Sequence, residues 1–241
     1  MEDAHSSYLS LPGDASAAFF GVYDGHGGSN VAKYAGEHLH KRIVSDKAYA
    51  EGDIPAAIKN GFLGLDRDMI SALKHEASGC TSVVTVLKDG VLYCGNAGDS
   101  RGVLSHRGHA VPLSYDHKPT NDAEVKRITA AGGFVEFGRV NGNLALSRAL
   151  GDFEFKMNTH MRPEHQIVTA DPDILIKKLV NEHEFFILAC DGIWDVMSNQ
   201  EVIDFCRERI AAGIELHIIC EQLMDHCLAP ESRIGGVGCD K

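Results

Sequence analysis

The chain has 241 residues, 44% of them apolar, with 34 acidic against 23 basic side chains and a formal net charge of −11. That length and apolar share suit one domain over residues 1–241 with a sizeable core, and the acidic excess argues against nucleic acid and anionic membrane as main partners while favouring a cationic cofactor. No apolar run is long enough to span a bilayer, and Met1-Glu2-Asp3-Ala4-His5 lacks the basic region and apolar core of a signal peptide, so a soluble intracellular protein, cytoplasmic or nuclear, is expected.

In chain order, the apolar run Phe19-Phe20-Gly21-Val22-Tyr23 reads as a buried strand that stops at Asp24-Gly25. Val31, Tyr34, Ala35, Leu39 and Ile43 recur at helical spacing and predict an amphipathic helix over 29–44; Ile54, Ile58, Phe62, Leu65, Met69 and Leu73 predict a second. The texture then turns β-branched. Thr81–Leu87 and Val91–Cys94 flank a Lys88-Asp89-Gly90 turn and predict a hairpin inside a meander. Asn121 with Glu124 spells a capping box for a helix over 122–131, stopped by Gly132-Gly133. A second apolar run, Phe185 to Cys190, again ends in Asp191-Gly192. Ser198 with Glu201 predicts a capped helix to about Ala211, Ile214 to Leu228 a last helix, and Pro230 with Gly235-Gly236-Val237-Gly238 a loop.

Strands and helices come in clusters and do not alternate, which predicts an α+β sandwich with helices covering antiparallel sheets. The seven cysteines lack zinc-type spacing, and Cys80, Cys94, Cys190 and Cys206 lie in apolar surroundings that suit reduced core thiols. A strand ending in Asp puts a charged oxygen where a sheet opens to solvent, and the Gly after it lets backbone and ions come close. Carboxylates that converge there repel unless cations lie between them.

Six motifs follow one another: Met1-Glu2-Asp3-Ala4-His5, Asp24-Gly25-His26-Gly27-Gly28, Gly98-Asp99-Ser100-Arg101, Ser147-Arg148-Ala149-Leu150-Gly151-Asp152, Asp191-Gly192-Ile193-Trp194-Asp195 and Gly238-Cys239-Asp240. In this order and at these intervals the chain resembles the metal-dependent serine/threonine protein phosphatases of type 2C. The resemblance implies a four-layer α-β-β-α fold with a two-metal centre between two antiparallel sheets. It implies Asp24 as the bridging carboxylate, Glu2 and the Gly25 carbonyl on one ion, and Asp191 and Asp240 on the other. Asp99 and Asp195 match positions used for a weaker third ion, and Asp3 falls in the outer shell.

Oxygen-only donors favour Mg²⁺ or Mn²⁺ over zinc. A water shared by two such ions becomes hydroxide near neutral pH and attacks phosphorus in line, so no phosphoenzyme forms. His26 is the candidate to protonate the leaving alkoxide. Phosphorylated proteins are the expected partners, met by a monomer.

Each signal has a blander account. Asp24 and Asp191 could simply close turns, His26 could be an ordinary loop histidine, and Asp99 could serve a turn while Arg101 pairs with it. Asp195 could be an N-terminal helix partner, Arg148 is better read as half of an internal ion pair, and Trp194 as a core or cleft-wall residue. His38 and His40 form an H-x-H pair, but on a helix they diverge and are expected at the surface. The resemblance also implies a phosphate-binding arginine upstream of Met1 and a final core strand after Lys241. Without the first strand region and that last strand, this chain is expected to hydrolyse phosphate poorly. A phosphatase-like scaffold is the alternative, while an aspartyl-phosphate enzyme lacks its Asp-x-Asp pair, since His26 and Ile193 occupy the second positions.

Overall fold

The computed structural model describes residues 1–73 and 76–228. Strand β1 (Ala4–Tyr8) pairs antiparallel with β2 (Ala17–Tyr23). Along β2, Ala17, Phe19, Gly21 and Tyr23 are fully buried and the residues between them partly so, the period-two signature of a strand with a different layer on each face. A two-residue strand, β3 (Gly25–His26), follows, and then helices α1 (Asn30–Val44), α2 (Lys47–Ala50) and α3 (Ile54–Ala72). The stripes expected from spacing are the buried ones: Val31, Ala35, Leu39 and Ile43 on α1, and Ile54, Ile58, Phe62, Leu65 and Met69 on α3. The short α2 was not legible by periodicity. It is set by a local cap, Ala48 N–H donating to the Asp46 side chain at 2.9 Å.

Strands β4 (Gly79–Cys80), β5 (Ser82–Lys88) and β6 (Val91–Ala97) come next, and the β5–β6 hairpin turns through Asp89 and Gly90 at φ of 51° and 71°, as a mirror-image two-residue turn requires. Strands β7 (Arg101–His106) and β8 (His109–Pro112) form a second hairpin, but it belongs to the other sheet, so the expected meander is broken after β6, where Gly98 at φ 126° turns the chain out of the first sheet. Helix α4 (Asp122–Ala130) starts where expected but has no capping box. The Asn121 amide donates to the Asp116 carbonyl at 2.9 Å, and the Glu124 carboxylate is taken by Arg127, Ser147 and Arg148. Two guanidinium groups hold that carboxylate more strongly than one backbone N–H can.

The small strands β9 (Val135–Glu136), β10 (Arg139–Val140) and β11 (Leu150–Gly151) precede β12 (Asp173–Lys178) and β13 (His183–Ala189). Helices α5 (Asp191–Trp194), α6 (Asn199–Ala211) and α7 (Leu216–Cys227) close the described chain. The Ser198–Glu201 capping box is present in both directions. Helix α7 begins after Ile214 because α6 uses that residue to stop: Gly213 turns left-handed at φ 75° and Ile214 N–H donates to the Arg209 carbonyl at 3.0 Å. The loop expected at Pro230 and 235–238 lies outside the described residues.

Two antiparallel sheets carry the fold, one in the order β1-β2-β5-β6-β12 and the other β13-β7-β8. Val83, Leu92, Cys94, Leu104 and Leu113 are buried between them, with Leu188 and Phe186 packed alongside; the Phe186 ring meets Phe20 edge-on at 5.6 Å. On the outer face of the larger sheet, Phe19, Tyr23, Val84 and Val86 pack under α1 and α3. Beyond the smaller sheet, Val103 packs with Val202, Ile203, Ile219 and Leu223 of α6 and α7. Three apolar cores thus bind four layers in the order α-β-β-α, as the sequence led us to expect.

A third small sheet, β11-β4-β3, continues β2 and β5 past Asp24 and Thr81. The six described cysteines are free thiols, and burial pushes Cys94 up to about 12. No described helix is long and apolar enough to cross a membrane.

Candidate metal centre

Strand β2 delivers Asp24 at its end, where the Asp24 carbonyl accepts the Thr81 N–H at 2.9 Å and so ties the turn to the start of β5. Gly25 is required at the next position. A Cβ there would lie 2.2 Å from the Glu2 carbonyl oxygen, so only glycine lets the first residues of the chain cross the turn after Asp24. That crossing brings an exposed Glu2 and a partly buried Asp3 to the strand end.

From the other sheet, β13 runs out at Ala189, and Cys190 caps the short helix that Asp191 opens. A carboxylate in a first helical turn is favourably placed toward the backbone N–H groups. Burial pushes the Cys190 thiol up to about 12, and the negative charges of Asp24, Asp3 and Asp191 act in the same direction. Such effects operate at short range. Carboxylates from the two ends of the sequence therefore bear on one partly buried thiol. Asp195 lies a turn later, exposed, its N–H donating to the Asp191 carbonyl at 2.8 Å; it ends α5 and stands three residues before Ser198, the N-cap of α6.

Asp99, only 4% exposed, pairs with the Lys118 ammonium. The expected Asp99–Arg101 pair does not form. The planar guanidinium of Arg101 instead finds a matching fork in Asp116, with both contacts at 2.9 Å, and also reaches Asn199 Oδ1 at 2.6 Å. Burial pulls Lys118 down, but Asp99, and after it Asp116 and Asp191, outweigh burial and hold it above the ordinary lysine value. A lysine thus already sits by Asp99, one of the two carboxylates suggested for a third ion.

The donor chemistry fits a hard divalent cation. Asp24, Asp3, Asp191 and Glu2 offer only oxygen, and Cys190, kept protonated, offers no competing thiolate. Among the described residues, no three His, Cys, Asp or Glu side chains close into a finished ligand cluster. Asp240, the remaining candidate, lies outside the described residues.

His26 stands on β3 with Nε2 2.8 Å from Asp152 Oδ2. The sequence holds Asp152 within a motif but assigns it no role; its place directly after Ser147-Arg148-Ala149-Leu150-Gly151 is the only signal. Arg148 is structural, pairing with Glu124 at 2.8 Å and Asp173 at 2.7 Å. Trp194 is buried, its Nε1–H donating to the Ala189 carbonyl at 2.8 Å with the Arg101 guanidinium 5.3 Å over its ring. His40 corrects the expectation of a surface site. It is buried at 2% exposure with its ring 4.1 Å from Tyr8 and 5.9 Å from Phe19, because α1 turns that face onto the sheet. An open groove of about 380 Å³ lined by Arg42, Asp66, Arg67 and Lys156 holds none of the candidate ligands.

A family model described as Protein phosphatase 2C matches residues 1–234. The chain belongs to the protein phosphatase 2C family. A "Probable protein phosphatase 2C" of Caenorhabditis elegans is 58% identical over 243 residues, which cover all of this chain and 68% of that protein. A "Protein phosphatase 2C homolog 2" of Aspergillus fumigatus is 53% identical over 254 residues, covering all of this chain and 59% of its own length. Against the crystal structure of a phosphatase from Toxoplasma gondii, the TM-score is 0.80 at 28% identity over 94% of this chain and 83% of that one. Protein phosphatase 2C enzymes are metal-dependent and dephosphorylate serine and threonine in proteins, and the sandwich of antiparallel sheets flanked by helices is their fold.

Proposed function

We propose that this chain carries the hydrolytic centre of a protein phosphatase 2C acting on phosphoserine and phosphothreonine, with no phosphoenzyme. The observation that carries the reading is that β2 and β13, from the two opposed sheets, run out just before Asp24 and Asp191, while Gly25 lets the chain at Glu2 cross the first of these ends; like charges gathered at strand ends call for a cation. Asp24 is the candidate to bridge two ions, Glu2 and the Gly25 carbonyl would serve one, and Asp191 with Asp240 the other. Asp99 and Asp195 would serve a weaker third, where Lys118 is the competitor, with Asp3 in the outer shell. When bound, Mg²⁺ or Mn²⁺ supplies an acidified water and positive charge for the phosphoryl oxygens. His26 holds the proton that the departing serine or threonine oxygen takes up. Free thiols at every described cysteine suit a reducing compartment, cytoplasm or nucleus, and we read the chain as a monomer.

Calorimetric titration with Mn²⁺, run beside turnover of a phosphothreonine peptide, tests this. Asp24→Ala and Asp191→Ala should each weaken Mn²⁺ binding by at least about tenfold and abolish Mn²⁺-dependent turnover. A chain that binds no Mn²⁺ would point to the scaffold reading, and a trapped phosphoaspartate would overturn the direct displacement.

A further inference from the structure

We infer that Asp152 is the positioning residue for His26, fixing which ring nitrogen meets the substrate; this rests on the proton-donor role proposed for His26. The pair is built by β11-β4-β3, a sheet of three two-residue strands. His26 lies opposite Gly79, and Gly79 lies opposite Gly151, so β4 runs between the strand that carries the histidine and the strand that leads into Asp152. A Cβ at Gly79 would fall 2.1 Å from Asp152 Oδ2 and 2.6 Å from His26 Nε2. The missing side chain of Gly79 is therefore the space in which the two groups meet.

Asp152 reaches that space from a left-handed backbone, φ 49° and ψ 43°, which residues with a Cβ seldom adopt. Its surroundings hold it there. Asp152 N–H donates to the Ser78 carbonyl at 3.2 Å and its own carbonyl accepts from Phe155 N–H at 3.0 Å. One residue earlier, Gly151 N–H donates to Asp66 Oδ1 at 2.8 Å, and the Lys156 ammonium locks Asp66 through both oxygens, at 2.8 and 2.9 Å, and the Ala149 carbonyl at 2.8 Å. The left-handed backbone of Asp152 is thus held from both sides. Burial adds direction: the Asp152 side chain is 6% exposed and that of His26 30%, so the carboxylate anchors the inner side of a ring that is partly open.

With Nε2–H donating to Asp152, the nitrogen left for substrate is Nδ1. In the step assigned to His26, the bond from phosphorus to the serine or threonine oxygen breaks and the Nδ1 proton goes to that oxygen. The Nε2 proton stays on the ring, still bonded to Asp152. A carboxylate behind a catalytic imidazole fixes tautomer and aim in this way, and an amide in its place reverses the tautomer.

Asp152→Asn keeps the shape and tolerates the left-handed backbone. In long-range ¹⁵N–¹H spectra of the chain without added metal, neutral His26 should carry its proton on Nε2, and Asp152→Asn should move it to Nδ1. With Mn²⁺, the variant should lose about 100-fold in kcat on a phosphothreonine peptide with KM nearly unchanged, but less than about threefold on p-nitrophenyl phosphate, whose phenolate leaves without a proton. His26→Gln should show the same split, and the double variant should be no worse than His26→Gln. Gly79→Ala, which fills the meeting space, should reproduce the split and replaces Asp152→Asn if that variant fails to fold. An unchanged tautomer, equal losses on both substrates, or losses that multiply in the double variant would overturn the assignment of Asp152. Should His26→Gln itself show no split, the proton-donor role of His26 fails; should it split while Asp152→Asn does not, only the role of Asp152 fails.

Discussion

Glu124→Gln removes a charge and almost nothing else, and it strikes the buried ion cluster that fastens α4 to the segment leading into β11. Glu124 is 2% exposed and holds Arg127 Nη1 at 2.6 Å, Arg148 Nη2 at 2.8 Å and the Ser147 hydroxyl at 2.7 Å. Burial pushes this carboxyl up, but Arg148, Arg127 and Ser147 outweigh burial and pull it down to about 2 from an ordinary 4.5. At neutral pH that depression is worth about 3 kcal/mol to the folded state. Leaving two guanidinium groups buried without their shared partner costs a similar amount, about 3–5 kcal/mol. Urea unfolding followed by the fluorescence of Trp194, the one tryptophan in the chain, measures it. Because the folded value lies below the unfolded one, the contribution is fully present above about pH 4.5 and fades as pH falls toward 2. Wild type should therefore exceed the variant by about 3 kcal/mol from pH 7 to 5, and the two should converge near pH 2. A gap under about 1 kcal/mol at pH 7, or one that persists undiminished at low pH, would refute the reasoning.

His40 has the opposite sign. Burial, followed by Lys41 and His38, pulls it down to about 4 from 6.5, so the unfolded chain takes up a proton that the folded chain refuses, and stability falls as pH drops from 6.5 toward 4. His40→Phe should gain on wild type by about 3 kcal/mol between pH 7.5 and 4 in the same unfolding assay, and a difference that is flat with pH would rule out a neutral buried ring. Gly25→Ala forces a methyl against the Glu2 carbonyl and must displace residues that precede β1. Mn²⁺ affinity should drop at least about tenfold in calorimetry with the melting temperature nearly kept; unchanged affinity would remove Glu2 and Gly25 from the ligand set.

The helical stripes of α1 and α3, the β5–β6 hairpin and the Ser198–Glu201 cap were legible because each is written within a few residues: a repeat of apolar side chains, a turn pair, a reciprocal hydrogen bond. The candidate carboxylates were legible as two strands that break off at Asp-Gly and as motifs in a fixed order. Spacing says which face of an element is buried, yet it does not say what lies across the gap. Asn121 and Glu124 spell a cap correctly, but two arginines, one of them 24 residues away, claim the carboxylate. Arg101 has an aspartate two residues off and bonds one fifteen residues off, because the β7–β8 hairpin carries the chain back and returns Asp116 to it. His40 looked like one half of an exposed pair until α1 was laid on the sheet. The contact between His26 and Asp152 spans 126 residues, and it exists only because three two-residue strands align in one register with a glycine between them. Local order is set by short-range sterics and hydrophobic periodicity, whereas the partner of a buried polar group depends on how sheets and loops are stacked, and for this protein that stacking alone decides which carboxylate faces the histidine.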